Sequence, residues 1–183
     1  MILVAGGDSH IWGSELADSL HGGADGYSKR TFTALLADDD YHCSAYPGIG
    51  NKEIHDRVRQ DLTWMKKCLV IVCWTWPSRD NELDSDKWII SLQEYLEYHK
   101  YPYLFTCVDN CIITDNPNIN WEQWYMFPSG TLANETLEPR GFYQWALENK
   151  YDVGTDGHPL EQAHIDASLL IKEKYSELVK KNI

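Results

Sequence analysis

Basic residues are scarce in this chain. Lys and Arg number 16 against 28 Asp and Glu, a formal net charge of -12. No basic stretch exceeds a local pair such as Lys66-Lys67 or Lys180-Lys181. A surface this acidic repels phosphate, which argues against nucleic-acid binding and against docking on an anionic membrane. Long apolar runs are also lacking, and none approaches the length that spans a bilayer. The opening Met1-Ile2-Leu3-Val4-Ala5 has no basic lead-in and is too short for a secretory leader. The expected location is therefore the cytoplasm, with export only as part of a larger assembly such as a virion. Cysteines are few and odd in number: Cys43, Cys68, Cys73, Cys107 and Cys111. That count argues for reduced thiols rather than a disulfide framework. Cys107 and Cys111 lack a second ligand pair, so no zinc site is expected.

Internal repeats, low-complexity segments and linkers are absent, and 183 residues fit one domain, 1–183. Hydrophobic residues at 43% and charged residues at 24% give a globular balance. Aromatic residues reach 13%, with eight Trp and eleven Tyr. They suit a core, an interface or a pocket wall equally well.

What is present is an alternation of short apolar strands and amphipathic helices. Strands are expected at Met1 to Ala5, His42 to Tyr46, Cys68 to Trp74 and Tyr103 to Val108, with a short fifth near Trp124 to Phe127. Cys68 to Trp74 is continuously apolar and rich in β-branched residues, the pattern of a strand buried on both faces. Residues 11 to 27 read as loop with a short helix. Helices are expected at Ser28 to Ala37, with Phe32, Leu35 and Leu36 inward and Ser28 as N-cap; at Asn51 to Lys67, with Ile54, Val58, Leu62 and Met65 at helical spacing and Asn51 as N-cap; and at Ser85 to Lys100, with Trp88, Ile89, Leu92, Tyr95 and Leu96 inward. Two more are expected at Gly141 to Lys150 and from about Leu160 to Lys180. Residues 109 to 140 read as irregular. Alternating strands and helices imply right-handed parallel crossovers and an α/β fold, a three-layer α/β/α sandwich around a flavodoxin-like parallel sheet of about five strands. Sites in such sheets lie beyond the carboxyl ends of the strands. Ser9, the 47–51 loop, the 74–79 turn and Asp109 all follow strand ends and should share one sheet edge.

Three segments at that edge carry candidate chemistry. In Gly7-Asp8-Ser9-His10 a serine can project its hydroxyl into a cleft; the same residues also make an ordinary turn. In Tyr46-Pro47-Gly48-Ile49-Gly50-Asn51 a glycine loop leads into a helix whose first N–H groups are unpaired, suited to an oxyanion or simply capped. It has neither the Lys of a P-loop nor a full dinucleotide fingerprint, which argues against a phosphate binder. In Asp156-Gly157-His158-Pro159 a carboxylate two residues from an imidazole can fix its tautomer, or the segment is a surface turn. His164 would add a metal ligand to His158, but no third ligand is evident from spacing, so no metal is expected.

Together these segments resemble the SGNH/GDSL hydrolase family, from residue 3 to about residue 170. The resemblance implies that Ser9 is the nucleophile, that Gly50 supplies an oxyanion N–H, and that Asp156 and His158 complete a Ser-His-Asp triad. Ala163-His164 stands where many members carry Gly-His. The family's third block, Gly-x-Asn-Asp, is replaced here by Val72-Cys73-Trp74-Thr75-Trp76-Pro77-Ser78-Arg79. Thr75 is then the side-chain donor expected at the oxyanion; Arg79 could donate to an anion, and neither is equivalent to the Asn. The short chain and its Trp-Thr turn are also similar to bacteriophage-encoded members.

The function expected from the resemblance is hydrolysis of an ester or acetyl group on a small molecule or carbohydrate, with no metal or organic cofactor. Trp residues at 74–76 and 121–127 would wall the pocket or pack in the core. The alternative is an inactive binding or structural module of the same fold in a larger, phage-related assembly. Oligomeric state is left open.

Overall fold

A computed structural model describes residues 1–19, 26–37, 40–80, 85–129 and 139–181. Parts of the stretches 11–27 and 109–140, namely 20–25 and 130–138, lie outside the described residues. Among the described residues four strands form one sheet: β1 (Ile2–Gly6), β2 (Tyr41–Cys43), β3 (Cys68–Trp74) and β4 (Tyr103–Cys107). The order is β2-β1-β3-β4, and every neighbouring pair is parallel. All seven residues of β3 are buried, as its apolar run requires. The expected fifth strand is not formed. Trp124 makes a single parallel bridge to Phe105, and Phe127 an antiparallel one to Arg140.

The helices are α1 (Ser9–Trp12), α2 (Asn51–Leu62), α3 (Ser85–His99), α4 (Phe142–Glu148) and α5 (Glu161–Lys181). The period-2 alternation of the strands divides the core between two faces. Leu3, Ala5, Leu69, Ile71 and Cys73 pack with Phe32 and with α4 and α5 through Phe142, Trp145, Ala163 and Ile171. Val4, Val70, Val72 and Trp74 pack on α2 and α3 through Ile54, Val58, Ile89 and Leu92. This is a three-layer α/β/α sandwich. Among the described residues no helix is long and apolar enough to cross a membrane.

The helix expected at Ser28 to Ala37 is reduced to one 3-10 turn, Ala34–Leu36. Its first half lacks helical bonding because distant side chains hold it. Ser28 donates its hydroxyl to Asp18, Lys29 N–H donates to Asp18, and Phe32 N–H donates to His164 Nδ1 at 3.1 Å. Leu35, expected inward, is exposed.

Candidate functional site

The C-terminal ends of β1 and β3 meet at Asp8, two residues past Gly6 and bonded to Thr75, the residue after Trp74. Asp8 caps α1 and is fully buried. Its Oδ1 accepts the His10 N–H and stands 3.0 Å from His10 Nδ1. Its Oδ2 accepts the Thr75 hydroxyl at 2.7 Å and lies 3.2 Å from an Arg79 guanidinium nitrogen. Burial alone would raise the Asp8 carboxyl, but the His10 charge and the hydrogen bonds from His10 and Thr75 outweigh it. The group is held well below the usual carboxylate range. Asp8 therefore stays ionised as the anionic centre of this sheet edge.

The second segment is tied in through Asn51. It does not cap α2, as the sequence predicts; Gly50 does, with φ -94° and ψ 179°. Asn51 is instead the first helical residue, fully buried, and its amide faces β3. Oδ1 accepts Thr75 N–H at 2.9 Å and Nδ2 donates to Thr75 C=O at 3.1 Å. Asp80 accepts the Lys52 N–H at the start of α2, and a side chain at Gly50 would overlap the Asp80 carboxylate. Among the described residues the N–H groups of Ser9 and Gly50 have no hydrogen-bond partner. Thr75 differs: its hydroxyl is committed to Asp8 and its N–H to Asn51, so neither donor is open to an oxyanion. Arg79 likewise turns to Asp8 and to the Ile49 carbonyl, at 3.3 Å.

The third segment meets Glu15, just past α1, rather than itself. His158 Nδ1 lies 2.9 Å from Glu15 Oε2, and His158 N–H donates to the same oxygen at 3.1 Å. Glu15 Oε1 accepts the Thr155 hydroxyl and the Asp156 N–H, each at 2.9 Å. The Asp156 side chain, expected on His158, is exposed and has no hydrogen bond among the described residues. Burial would raise the Glu15 carboxyl, but bonds from Asp156, His158 and Thr155 bring it down to about 2. Sequence spacing pointed to Asp156 because it is local. Glu15 is 143 residues from His158 and carried no signal of its own.

His158 stands beside His10, ring centroids 5.2 Å apart. Ser9, the residue before His10, is buried, and Ser9 Oγ has no hydrogen-bond partner among the described residues, His158 included. His10 is also flanked by Trp76 at 5.6 Å and Tyr143 at 5.5 Å, and its buried Nε2 is unpartnered. Tyr143 is brought there by its N–H bond to the carbonyl of Val108, just past β4. His164 is structural: buried, accepting from Phe32, and pushed down to about 3 by burial.

The Trp-rich segments divide. Trp74 and Trp124 are core residues packed on Phe105, and Trp121 packs at a tilt against Trp124. Trp76 alone among them stands at the site. Among the described residues no three His, Cys, Asp or Glu side chains are grouped to hold a metal ion. Two grooves, about 560 and 640 Å³, lie elsewhere, lined by Met1, Leu35 and Leu169 and by Ile2, Lys66 and Cys68 respectively. Ile2 and Cys68 begin β1 and β3, so these grooves sit near the opposite strand ends from Asp8.

No family model and no curated protein matches the chain. Among solved structures it is similar to a psychrotrophic esterase, EstA from Pseudoalteromonas sp., in a structure inhibited by monoethylphosphonate. The likeness covers 98% of this chain and 97% of that one, with a TM-score of 0.55 and 11% identity. The shared feature is the fold, a three-layer α/β/α sandwich.

Proposed function

We propose that this protein is a serine hydrolase acting on an ester or acetyl group of a small molecule or carbohydrate, with Ser9 as nucleophile and His158 as base. The observation that supports it most is the His158 imidazole. It is held at Nδ1 by a carboxylate and packed against the ring of His10, the residue next to Ser9. A neutral imidazole held this way presents Nε2 as the proton acceptor.

The chemistry is acyl transfer. Ser9 Oγ attacks the carbonyl carbon as its proton passes to His158, the C–O bond to the alcohol breaks, and the alcohol leaves with that proton. Water then repeats the sequence and releases the acid. The unpartnered N–H groups of Ser9 and Gly50 are the oxyanion donors in this reading. Thr75 acts through Asp8, fixing the turn that carries Ser9, rather than as a donor. Trp76 and Tyr143 flank the site, and flat aromatic faces suit a sugar ring or a short acyl chain. Ser9 and His158 are not hydrogen-bonded in this structure, so substrate binding must close that gap by a side-chain rotation.

The inactive module is the second reading. It draws on that open Ser9–His158 pair and on the Thr75 hydroxyl, which is committed elsewhere. Turnover of p-nitrophenyl acetate separates the two. Hydrolysis by the wild-type chain and loss of about 10³-fold or more in Ser9→Ala are expected. A folded wild-type protein with the same rate as Ser9→Ala would leave the module.

A further inference from the structure

We infer that Glu15, six residues after the nucleophile position, is the carboxylate that positions His158, and that Asp156 has no part in orienting it. This rests on the hydrolase reading for its kinetic consequences, but the contact itself does not.

The geometry makes Glu15 a receptor for the whole turn before α5. Its two oxygens take four hydrogen bonds: from Thr155 Oγ1, Asp156 N–H, His158 N–H and His158 Nδ1. The Glu15 side chain is only 10% exposed. Gly154 belongs to the same design, because a side chain there would overlap the Glu15 carboxylate. Glu15 itself has φ 68°, an uncommon backbone state for a non-glycine residue. It follows Gly13, the left-handed cap of α1, so the reversal after Ser9–Trp12 turns Glu15 toward the His158 loop.

One carboxylate thus fixes a backbone turn, selects the imidazole tautomer and faces the charge that develops on His158. Asp156, whose carboxylate points to solvent, does none of these. The charged and titratable groups around the pair are few. His10 packs on His158, His164 lies buried in α5, and Glu161 of α5 accepts the Ala17 N–H at 2.8 Å. A nucleophile and its orienting acid in one short segment leave only the base to be supplied from the far end of the chain.

The test compares Glu15→Gln, Glu15→Asp and Asp156→Asn, with two readouts. The first is the hydrogen-bonded Nδ1–H proton resonance of His158 in isotope-labelled protein, which needs no activity. It is expected in wild type and Asp156→Asn, and lost or moved upfield in Glu15→Gln. The second is p-nitrophenyl acetate hydrolysis. Glu15→Gln should lower kcat by about 10²–10⁴-fold with KM little changed, and move the acid limb of the kcat/KM profile to lower pH. Glu15→Asp should recover part of the rate, and Asp156→Asn should stay within about threefold of wild type. Loss of the resonance in Asp156→Asn but not in Glu15→Gln overturns the proposal. So does a Glu15→Gln variant that is slow with its acid limb unmoved and its resonance intact, because Glu15 would then only brace the loop. If wild type hydrolyses nothing, the hydrolase reading fails while the resonance still decides the role of Glu15. If Glu15→Gln does not fold, Gly154→Ala displaces the carboxylate sterically. It should remove the resonance, and retention in that variant contradicts the assignment.

Discussion

The side-chain amide of Asn51 and the backbone of Thr75 exchange two hydrogen bonds, at 2.9 and 3.1 Å, in a fully buried setting. Through them the start of α2 grips the end of β3, and Thr75 is then aimed at Asp8. Asn51→Ala leaves a buried N–H and a buried C=O unpaired. The expected cost is about 2–4 kcal/mol, read as a lower urea midpoint with an unchanged m-value. Asn51→Asp keeps the acceptor for Thr75 N–H but sets a carboxylate against the Thr75 carbonyl, so it should recover little. A neutral Asn51→Ala would mean the pair is incidental.

Asp8 is the fully buried carboxylate that joins α1 to Thr75 and Arg79. Asp8→Ala removes the acceptor for His10 and Thr75 and leaves Arg79 without its carboxylate. Breaking a buried ion pair from one side costs about 3–5 kcal/mol, so the melting temperature should fall by roughly 10 °C in a chain of this length. A shift of one or two degrees would show that Asp8 is not the centre of this network.

Acid should destabilise the fold in two stages. His164 is neutral in its buried site, with a folded value of about 3 against an ordinary 6.5. Below pH 6.5 the unfolded chain takes up this proton and the folded chain does not, so stability falls as pH falls from 6.5 toward 3. Glu15 is depressed to about 2 from an ordinary 4.5. Its contribution is complete above 4.5 and is lost as pH falls from 4.5 toward 2. Each proton adds a slope of about 1.4 kcal/mol per pH unit at most. Urea midpoints measured from pH 7 to 4.5 should decline in wild type and decline less in His164→Gln. Equal slopes in the two proteins would remove His164 as the cause.

Thiol reactivity should single out Cys111. Cys43, Cys68, Cys73 and Cys107 are buried and Cys111 is exposed. Burial pushes Cys43 up to about 12 and Cys68 up to about 11, and the thiolate is the reactive form. Native protein titrated with a chromogenic disulfide should give one fast thiol, lost in Cys111→Ser. Two or more fast thiols would contradict the burial of the others.

Much of the scaffold was legible because its signals are local. The apolar run at Cys68–Trp74, the 3.6-residue spacing of Ile54, Val58 and Leu62, and the strand–helix alternation lead directly to β3, α2 and the parallel sheet. Misreadings arise where a distant side chain takes over a local bond. Ser28 to Ala37 has helical periodicity, but Asp18 and His164 capture its N–H groups. Asn51 reads as an N-cap until Thr75 offers its backbone. Asp156 lies two residues from His158 and looks like its partner, yet Glu15 reaches that imidazole from across the chain. Trp74 and Trp76 are two apart and so should share a face of an extended strand; β3 ends at Trp74, and Trp76 packs at the edge of the other core face, beside His10.

The most direct test of the hydrolase reading is covalent. The folded protein is incubated with a fluorophosphonate, and the adduct is located by intact and peptide mass spectrometry. One phosphonyl group per chain is expected, on Ser9, absent from Ser9→Ala and formed more slowly in His158→Ala. An unlabelled wild-type protein of native stability, or a label on another residue that survives Ser9→Ala, would contradict the hydrolase reading.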